Sequence, residues 1–181
     1  MFKTGDIIIK NDGAFGHVLM CFVEEDDSGV GDVSFIHGTN QGNFDFCNKL
    51  AIEEEKGNYW HFKPNNISEA DKVKIMATAE KIKTSAKYGV YRAVRLFLGN
   101  SDFGKSAKDR LNKYKKREAE KSDKFITTIT CVEAVVICYQ VVFSESSPHF
   151  IKKDAAHTMP RTLAKYLRET PGGWTMERKP D

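Results

Sequence analysis

Short blocks of hydrophobic residues, separated by loops rich in glycine, asparagine and acidic residues, fill the first third of the chain. Short apolar blocks bounded by such loops predict β-strands. The first three blocks are joined by a glycine-bearing loop and an acidic turn, which predicts an antiparallel meander. The predicted strands cover residues 5–10, 17–23, 32–37, 44–52 and 58–63.

From Ser68 onward the hydrophobic residues recur every three or four positions, which is the spacing of a buried helix face. Ser68 followed by Asp71 has the spacing of a capping box and predicts a helix start. A run of strands followed by helices predicts an α+β fold, with a small antiparallel sheet packed against helices, in a single domain over residues 1–181. Further helices are predicted over residues 90–98, over the basic stretch from residue 105, over residues 130–142 and over residues 158–167. Pro160 lies near the first turn of the last of these helices. A final turn and strand are predicted over residues 172–176.

The most hydrophobic helix is predicted to begin with a cysteine. Thr130 followed by Glu133 is a second capping-box spacing, so Cys131 occupies the first helical position. The unpaired amides and the positive dipole end of a helix lower a cysteine's pKa, which predicts a reactive thiolate at the exposed tip of a buried helix. A cysteine among aliphatic residues is more often a small buried hydrophobe, and the Glu133 carboxylate opposes a low thiol pKa, so both interpretations stay open here.

The cysteines and the start of the chain limit the class of protein. No Cys-x-x-Cys pair and no regular spacing occurs, so neither a disulfide framework nor a zinc knuckle is predicted. The first apolar block, residues 7–9, is too short for a signal peptide or a membrane span. We therefore expect a chain made in the cytosol without a transmembrane segment, although an export route that needs no signal peptide stays open. The four cysteines are Cys21, Cys47, Cys131 and Cys138.

The basic residues are concentrated in one stretch, from Lys105 to Lys124. The formal net charge of the chain is only +3. In residues 105–124, however, nine Lys or Arg residues face four Asp or Glu residues. The stretch is interpreted as a solvated helix or loop, with a binding surface for a polyanion or an acidic protein partner as the alternative.

Two of the five histidines lie where a thiol nucleophile would need them. Such a nucleophile requires a base within hydrogen-bond reach and a third polar group that orients the base. His17 opens the second predicted strand and His37 ends the third, so antiparallel pairing brings them to the same end of the sheet. No motif surrounds the other histidines, which are interpreted as surface or structural residues; these are His61, His149 and His157.

Five short segments occur in an order that resembles a known superfamily. They are Gly-Asp-Ile-Ile at residues 5–8, Gly-His-Val-Leu-Met at 16–20, Phe-Ile-His-Gly at 35–38, Thr-Cys-Val-Glu at 130–133 and Met-Pro-Arg-Thr-Leu at 159–163. In this order the chain resembles the circularly permuted branch of the NlpC/P60 papain-like cysteine hydrolases, in which the histidine precedes the cysteine. The resemblance spans most of the chain. It departs from the common cysteine motif at Val132, where serine is frequent, and keeps Glu133.

The resemblance implies a permuted papain-like fold with three catalytic residues. Cys131 resembles the nucleophile, His17 the general base and His37 the third, orienting residue. Asn40 or Gln41, in the loop after His37, is the alternative to His37. The implied chemistry is attack of a thiolate on a carbonyl carbon, with no metal and no organic cofactor.

Three function classes remain open on the sequence. The first is a cysteine hydrolase of peptide or isopeptide bonds, with a peptide or peptidoglycan-fragment substrate. The second is an acyltransferase or thioesterase of the same fold that acts on an acyl-lipid substrate. The third is a binding module without catalysis that uses residues 105–124. Kinship of fold alone does not choose between them.

Overall fold

The computed structural model describes residues 2–10, 16–25, 31–38, 43–48, 58–89, 99–119 and 128–180. Within these ranges the chain has an α+β fold with a six-stranded antiparallel sheet and four α-helices. The helix predicted over residues 90–98, the end of the fourth predicted strand and the end of the basic stretch lie outside the described residues. Asn40 and Gln41 lie outside them as well.

The antiparallel meander predicted from the hydrophobic blocks is confirmed. The sheet has the strand order β4-β3-β2-β1-β5-β8, so the first four strands pair with their neighbours in the chain. A separate two-stranded parallel pair joins β6 to β7. The strands are β1 Ile7–Lys10, β2 His17–Glu25, β3 Gly31–Gly38, β4 Phe44–Asn48, β5 Tyr59–Pro64, β6 Lys87–Tyr88, β7 Thr128–Ile129 and β8 Trp174–Arg178.

Both predicted N-cap residues, Ser68 and Thr130, precede true helix starts, and the full reciprocal capping box forms at Thr130. The Ser68 hydroxyl accepts a hydrogen bond from the Asp71 amide at 3.1 Å, and Pro160 stands in the first turn of the last helix. Among the described residues no helix combines the length and the hydrophobicity needed to cross a bilayer. The helices are α1 Glu69–Ser85, α2 Lys105–Ala119, α3 Cys131–Val142 and α4 Pro160–Glu169, with a 3₁₀ turn over Ala155–His157.

Helix α3 is the centre of the core, as its hydrophobic pattern predicts. Every residue from Cys131 to Gln140 is buried. The helix packs on the sheet face that carries Ile9 and Val18, while Ile8 and Leu19 belong to a second buried cluster on the opposite face. Because both faces of β1 and β2 are covered, these strands are continuously hydrophobic rather than alternating.

The C-terminal half of α3 is tied to the start of β1. The Tyr139 hydroxyl donates a hydrogen bond to the carbonyl oxygen of Gly5. Gly5 has a φ of +92°, and a Cβ atom there would lie 3.1 Å from the Tyr139 hydroxyl. A glycine is needed at this position both for its backbone conformation and for the close approach of the tyrosine. The contact fixes the helix relative to the sheet.

Candidate thiol site

The capping box holds Cys131 in the first position of α3, as predicted. The Thr130 hydroxyl accepts from the Glu133 amide at 3.3 Å, and the Glu133 carboxylate accepts from the Thr130 amide at 3.1 Å. Glu133 is fully buried, so both bonds are shielded from water. Because the box satisfies these two amides, the amides of Cys131 and Val132 are left to interact with the cysteine sulfur.

The Cys131 sulfur lies among hydrogen-bond donors, but it is not exposed. Burial raises the pKa of the Cys131 thiol. Hydrogen bonds from the backbone amide of Val18, from the Tyr88 hydroxyl and from the amides of Val132 and Cys131 itself oppose this shift. The residue is only 6% exposed. Of the two interpretations that the sequence left open, the structure therefore favours the buried residue over the exposed sulfur with a lowered pKa, because loss of solvent outweighs the helix terminus.

The Tyr88 hydroxyl lies 3.9 Å from the Cys131 sulfur and donates a hydrogen bond to it. The parallel pairing of Tyr88 with Ile129 places the tyrosine beside the residues that precede Cys131. Its ring lies on Gly38, where a Cβ atom would overlap it, and meets Phe44 edge-on with 5.6 Å between ring centroids. Burial raises the pKa of Tyr88, and the nearby Cys131 adds to the shift, so the hydroxyl stays protonated and can donate.

His17 and His37 come together at one end of the sheet, as the strand pattern predicts. Their ring centroids are 5.8 Å apart, with the ring planes nearly perpendicular. Burial lowers the pKa of His37, electrostatic interactions with His17 and Lys10 lower it further, and Asp45 and the backbone of Gly38 oppose the change. The His37 ring is therefore neutral near pH 7, the form that accepts a hydrogen bond on one nitrogen and donates from the other.

Cys131 lies at the same strand end as the histidines but on the other face of β2. Val18, whose amide donates to the sulfur, is on the face that α3 covers. Side chains alternate along a strand, so His17 shares the opposite face with Leu19. His17 is the first residue of β2 and follows Gly16, which has a φ of +62°. A path from the His17 ring to the sulfur therefore passes around the N-terminal end of β2.

Two histidines without a sequence motif form hydrogen bonds to buried carboxylates. The His157 Nδ1 atom lies 3.0 Å from the carboxylate of Asp154, which also accepts from Arg110. The His61 Nε2 atom lies 2.7 Å from the carboxylate of Asp6. The three-residue spacing of Asp154 and His157 is a local signal that sequence reasoning missed. These pairs fit the structural interpretation given to both histidines.

The basic helix α2 is anchored to the core, and its described part is largely exposed. Ala107 and Leu111 are its buried contacts. Arg110 pairs with Asp154, and Lys108 pairs with Glu145 at 3.0 Å. The interpretation as a solvated helix is confirmed for Lys105–Ala119, and a polyanion or protein partner stays a prediction.

No metal-binding cluster of three or more His, Cys, Asp or Glu residues occurs in the part of the chain that the structure describes. All four cysteines are free. Comparisons of the chain with models of protein families, with curated proteins and with solved structures find no match. Inference about function therefore depends on the geometry around Cys131.

Proposed function

We propose that the protein is a cysteine-dependent hydrolase of amide bonds with a permuted papain-like arrangement, and that Cys131 is its nucleophile. The observation that carries the proposal is the position of the sulfur at the first residue of a capped, buried helix, facing three backbone amides and one tyrosine hydroxyl. Donors arranged in this way stabilise a thiolate and the oxyanion that forms when it attacks a carbonyl carbon.

The raised thiol pKa requires a base that acts when the substrate is bound. We assign this role to His17, whose backbone adjoins the Val18 amide at the sulfur. His37, with its ring 5.8 Å from that of His17, acts as the orienting residue. The structure has His17 and the sulfur on opposite faces of β2, so this role requires the His17 side chain to reach the sulfur around the end of the strand.

The reaction then proceeds in two steps. His17 takes the thiol proton, and the Cys131 thiolate attacks the amide carbonyl carbon, with the Cys131 amide donating to the oxyanion. The carbon–nitrogen bond breaks, His17 returns the proton to the leaving amine, and a thioester remains on Cys131. A water molecule, deprotonated by His17, attacks the thioester and releases a carboxylic acid, and the proton returns to the thiol. The proposed substrate class is a peptide, with cell-wall peptide the first to test.

The proposal is tested by incubating the protein with a mixture of peptides that includes peptidoglycan stem peptides, with mass spectrometry of the products. Cys131→Ala is expected to lower the cleavage rate by at least about a thousandfold. Cys138→Ala, which removes another buried cysteine from the same helix, is the matched control and is expected to retain cleavage. Full activity of Cys131→Ala, or no cleavage of any peptide by the wild-type protein, would overturn the proposal.

A further inference from the structure

A pocket lies between strand β5 and helix α4. Its volume is about 290 Å³, and it is open to solvent. Three of its lining residues are cationic, two are aromatic and one is small. The lining residues are Trp60, Phe62, Arg161, Ala164, Lys165 and Arg168.

The cations come from one face of α4. Arg161, Lys165 and Arg168 are spaced by four and three residues, so their side chains follow one another along the helix. All three residues are exposed. Arg168 also lies 3.3 Å from Glu169, but both side chains are about half exposed, and such surface pairs are weak. The pocket therefore concentrates positive charge.

The aromatic wall comes from β5. The side chains of Trp60 and Phe62 lie on the same face of the strand. Phe62 is buried in the core, whereas Trp60 is half-buried at the pocket. An indole beside guanidinium groups gives a flat apolar surface next to donors that bind phosphate in a bidentate manner. A ligand that fits both surfaces carries a phosphate and a flat apolar group.

We propose that this pocket binds a small phosphate ester whose flat apolar group packs on Trp60. The sheet register places the pocket on the same face as the Cys131 sulfur. Trp60 and Val18 both pair with Ile9, from opposite sides, so they are two strand spacings apart, or about 10 Å. The binding claim does not depend on the role of Cys131, since it is tested without catalysis.

The test is isothermal titration of the full chain with phenyl phosphate, which combines the two features of the proposed ligand. Inorganic phosphate tests the anion alone and benzyl alcohol tests the ring alone. We expect phenyl phosphate to bind saturably and at least about tenfold more tightly than inorganic phosphate or benzyl alcohol, since each of these two compounds lacks one set of contacts. Equal affinity for phenyl phosphate and inorganic phosphate would overturn the proposal, as would no binding of phenyl phosphate.

Variants of the lining residues test whether phenyl phosphate binds in this pocket. Lys165→Gln and Arg168→Gln are each expected to weaken phenyl phosphate binding by about tenfold or more, because a charge-assisted hydrogen bond is lost. Lys152→Gln removes the same charge from an exposed lysine outside the pocket and is expected to bind as the wild type does. Trp60→Ala is expected to abolish the preference for phenyl phosphate over inorganic phosphate. Unchanged binding by both α4 variants would overturn the assignment of the pocket.

Discussion

Two opposing effects act on the Cys131 sulfur, and their sizes explain which one dominates. A charge at a helix terminus gains about 0.3–1 kcal/mol at an exposed site. Full burial shifts a pKa by up to about 3–5 units, and each unit corresponds to about 1.4 kcal/mol. Burial therefore raises the pKa of the Cys131 thiol even though three amides and a hydroxyl donate to the sulfur.

Replacement of Tyr88 by Phe tests the hydroxyl that faces the sulfur. The Phe ring still covers Gly38 and Phe44, but the donor to the thiolate is lost, so the pKa of Cys131 rises further. We expect alkylation of Cys131 by iodoacetamide at a fixed alkaline pH to slow by about tenfold, the effect of one hydrogen bond to a charged group. Peptide mass spectrometry measures the rate.

Tyr166→Phe is the matched control for this variant. It also removes a tyrosine hydroxyl, but one that bonds to the backbone of Phe150 and Lys152. The control is expected to leave alkylation of Cys131 unchanged. Faster alkylation in Tyr88→Phe, or equal slowing in both variants, would show that the hydroxyl does not stabilise the thiolate.

The histidine pair gives a second prediction for single residues. His17→Ala is expected to lower the proposed cleavage rate by about 10²–10⁴-fold, which is the usual contribution of a general base. His37→Asn keeps a side chain that can donate and accept, so a smaller loss is expected than for His37→Ala. Measurement of kcat and KM for the three variants checks this order. A His17→Ala variant with wild-type kcat would remove His17 from the mechanism.

At the scale of secondary structure, the two N-cap residues allow a controlled comparison. Thr130→Ala and Ser68→Ala each remove an N-cap hydroxyl and are each expected to lower the free energy of unfolding by about 0.5–2 kcal/mol. Only Thr130 adjoins Cys131, so only Thr130→Ala is expected to change the rate of Cys131 alkylation. Urea unfolding and the alkylation rate are the two measurements. An equal effect of both variants on alkylation would mean that the cap acts through stability alone.

Elements with local signals could be predicted, whereas contacts between distant segments could not. The start of α3 follows from Thr130 and Glu133, three residues apart, and the start of α1 follows from Ser68 in the same way. The contact between the Tyr88 hydroxyl and the Cys131 sulfur joins residues 43 positions apart. It depends on a two-residue strand pair, which leaves no periodic pattern in the sequence. No sequence pattern could therefore decide between a buried and an exposed sulfur, and this choice sets the direction of the thiol's pKa shift.

The same distinction holds for the histidines. Strand pairing predicted that His17 and His37 meet, because it depends only on a hairpin and the direction of two strands. The face on which His17 lies follows from the register, which is fixed by packing of Val18 against α3. The hydrogen bond between Arg110 and Asp154 spans 44 positions and has no local signature.

For the whole molecule, two histidines make stability depend on pH. Burial lowers the pKa of His37 and of His149, so the unfolded chain binds more protons than the folded one as the pH falls below about 6.5. Stability from these groups is present above that pH and is lost as the pH falls through their folded pKa values. The melting temperature is therefore expected to decrease as the pH is lowered from 7 to 5.

A variant at His149 isolates one of these groups. His149 packs against Phe143 and Trp174, with ring centroids 5.1 Å and 6.1 Å away. Its Nε2 atom is buried and has no hydrogen-bond partner within the described residues. His149→Phe is therefore expected to give a shallower dependence of the melting temperature on pH. An unchanged slope, measured by thermal unfolding across this pH range, would contradict the assignment.

The role of Cys131 as a nucleophile is tested most directly by trapping the thioester on the folded protein. The protein is mixed with p-nitrophenyl acetate, quenched in acid and digested, and the acetylated peptides are identified by mass spectrometry. The proposed mechanism predicts one rapidly formed acetyl group on Cys131, absent in Cys131→Ala and formed more slowly in His17→Ala. Acetyl groups spread over lysines, with Cys131 unmodified and no difference between wild type and His17→Ala, would contradict it.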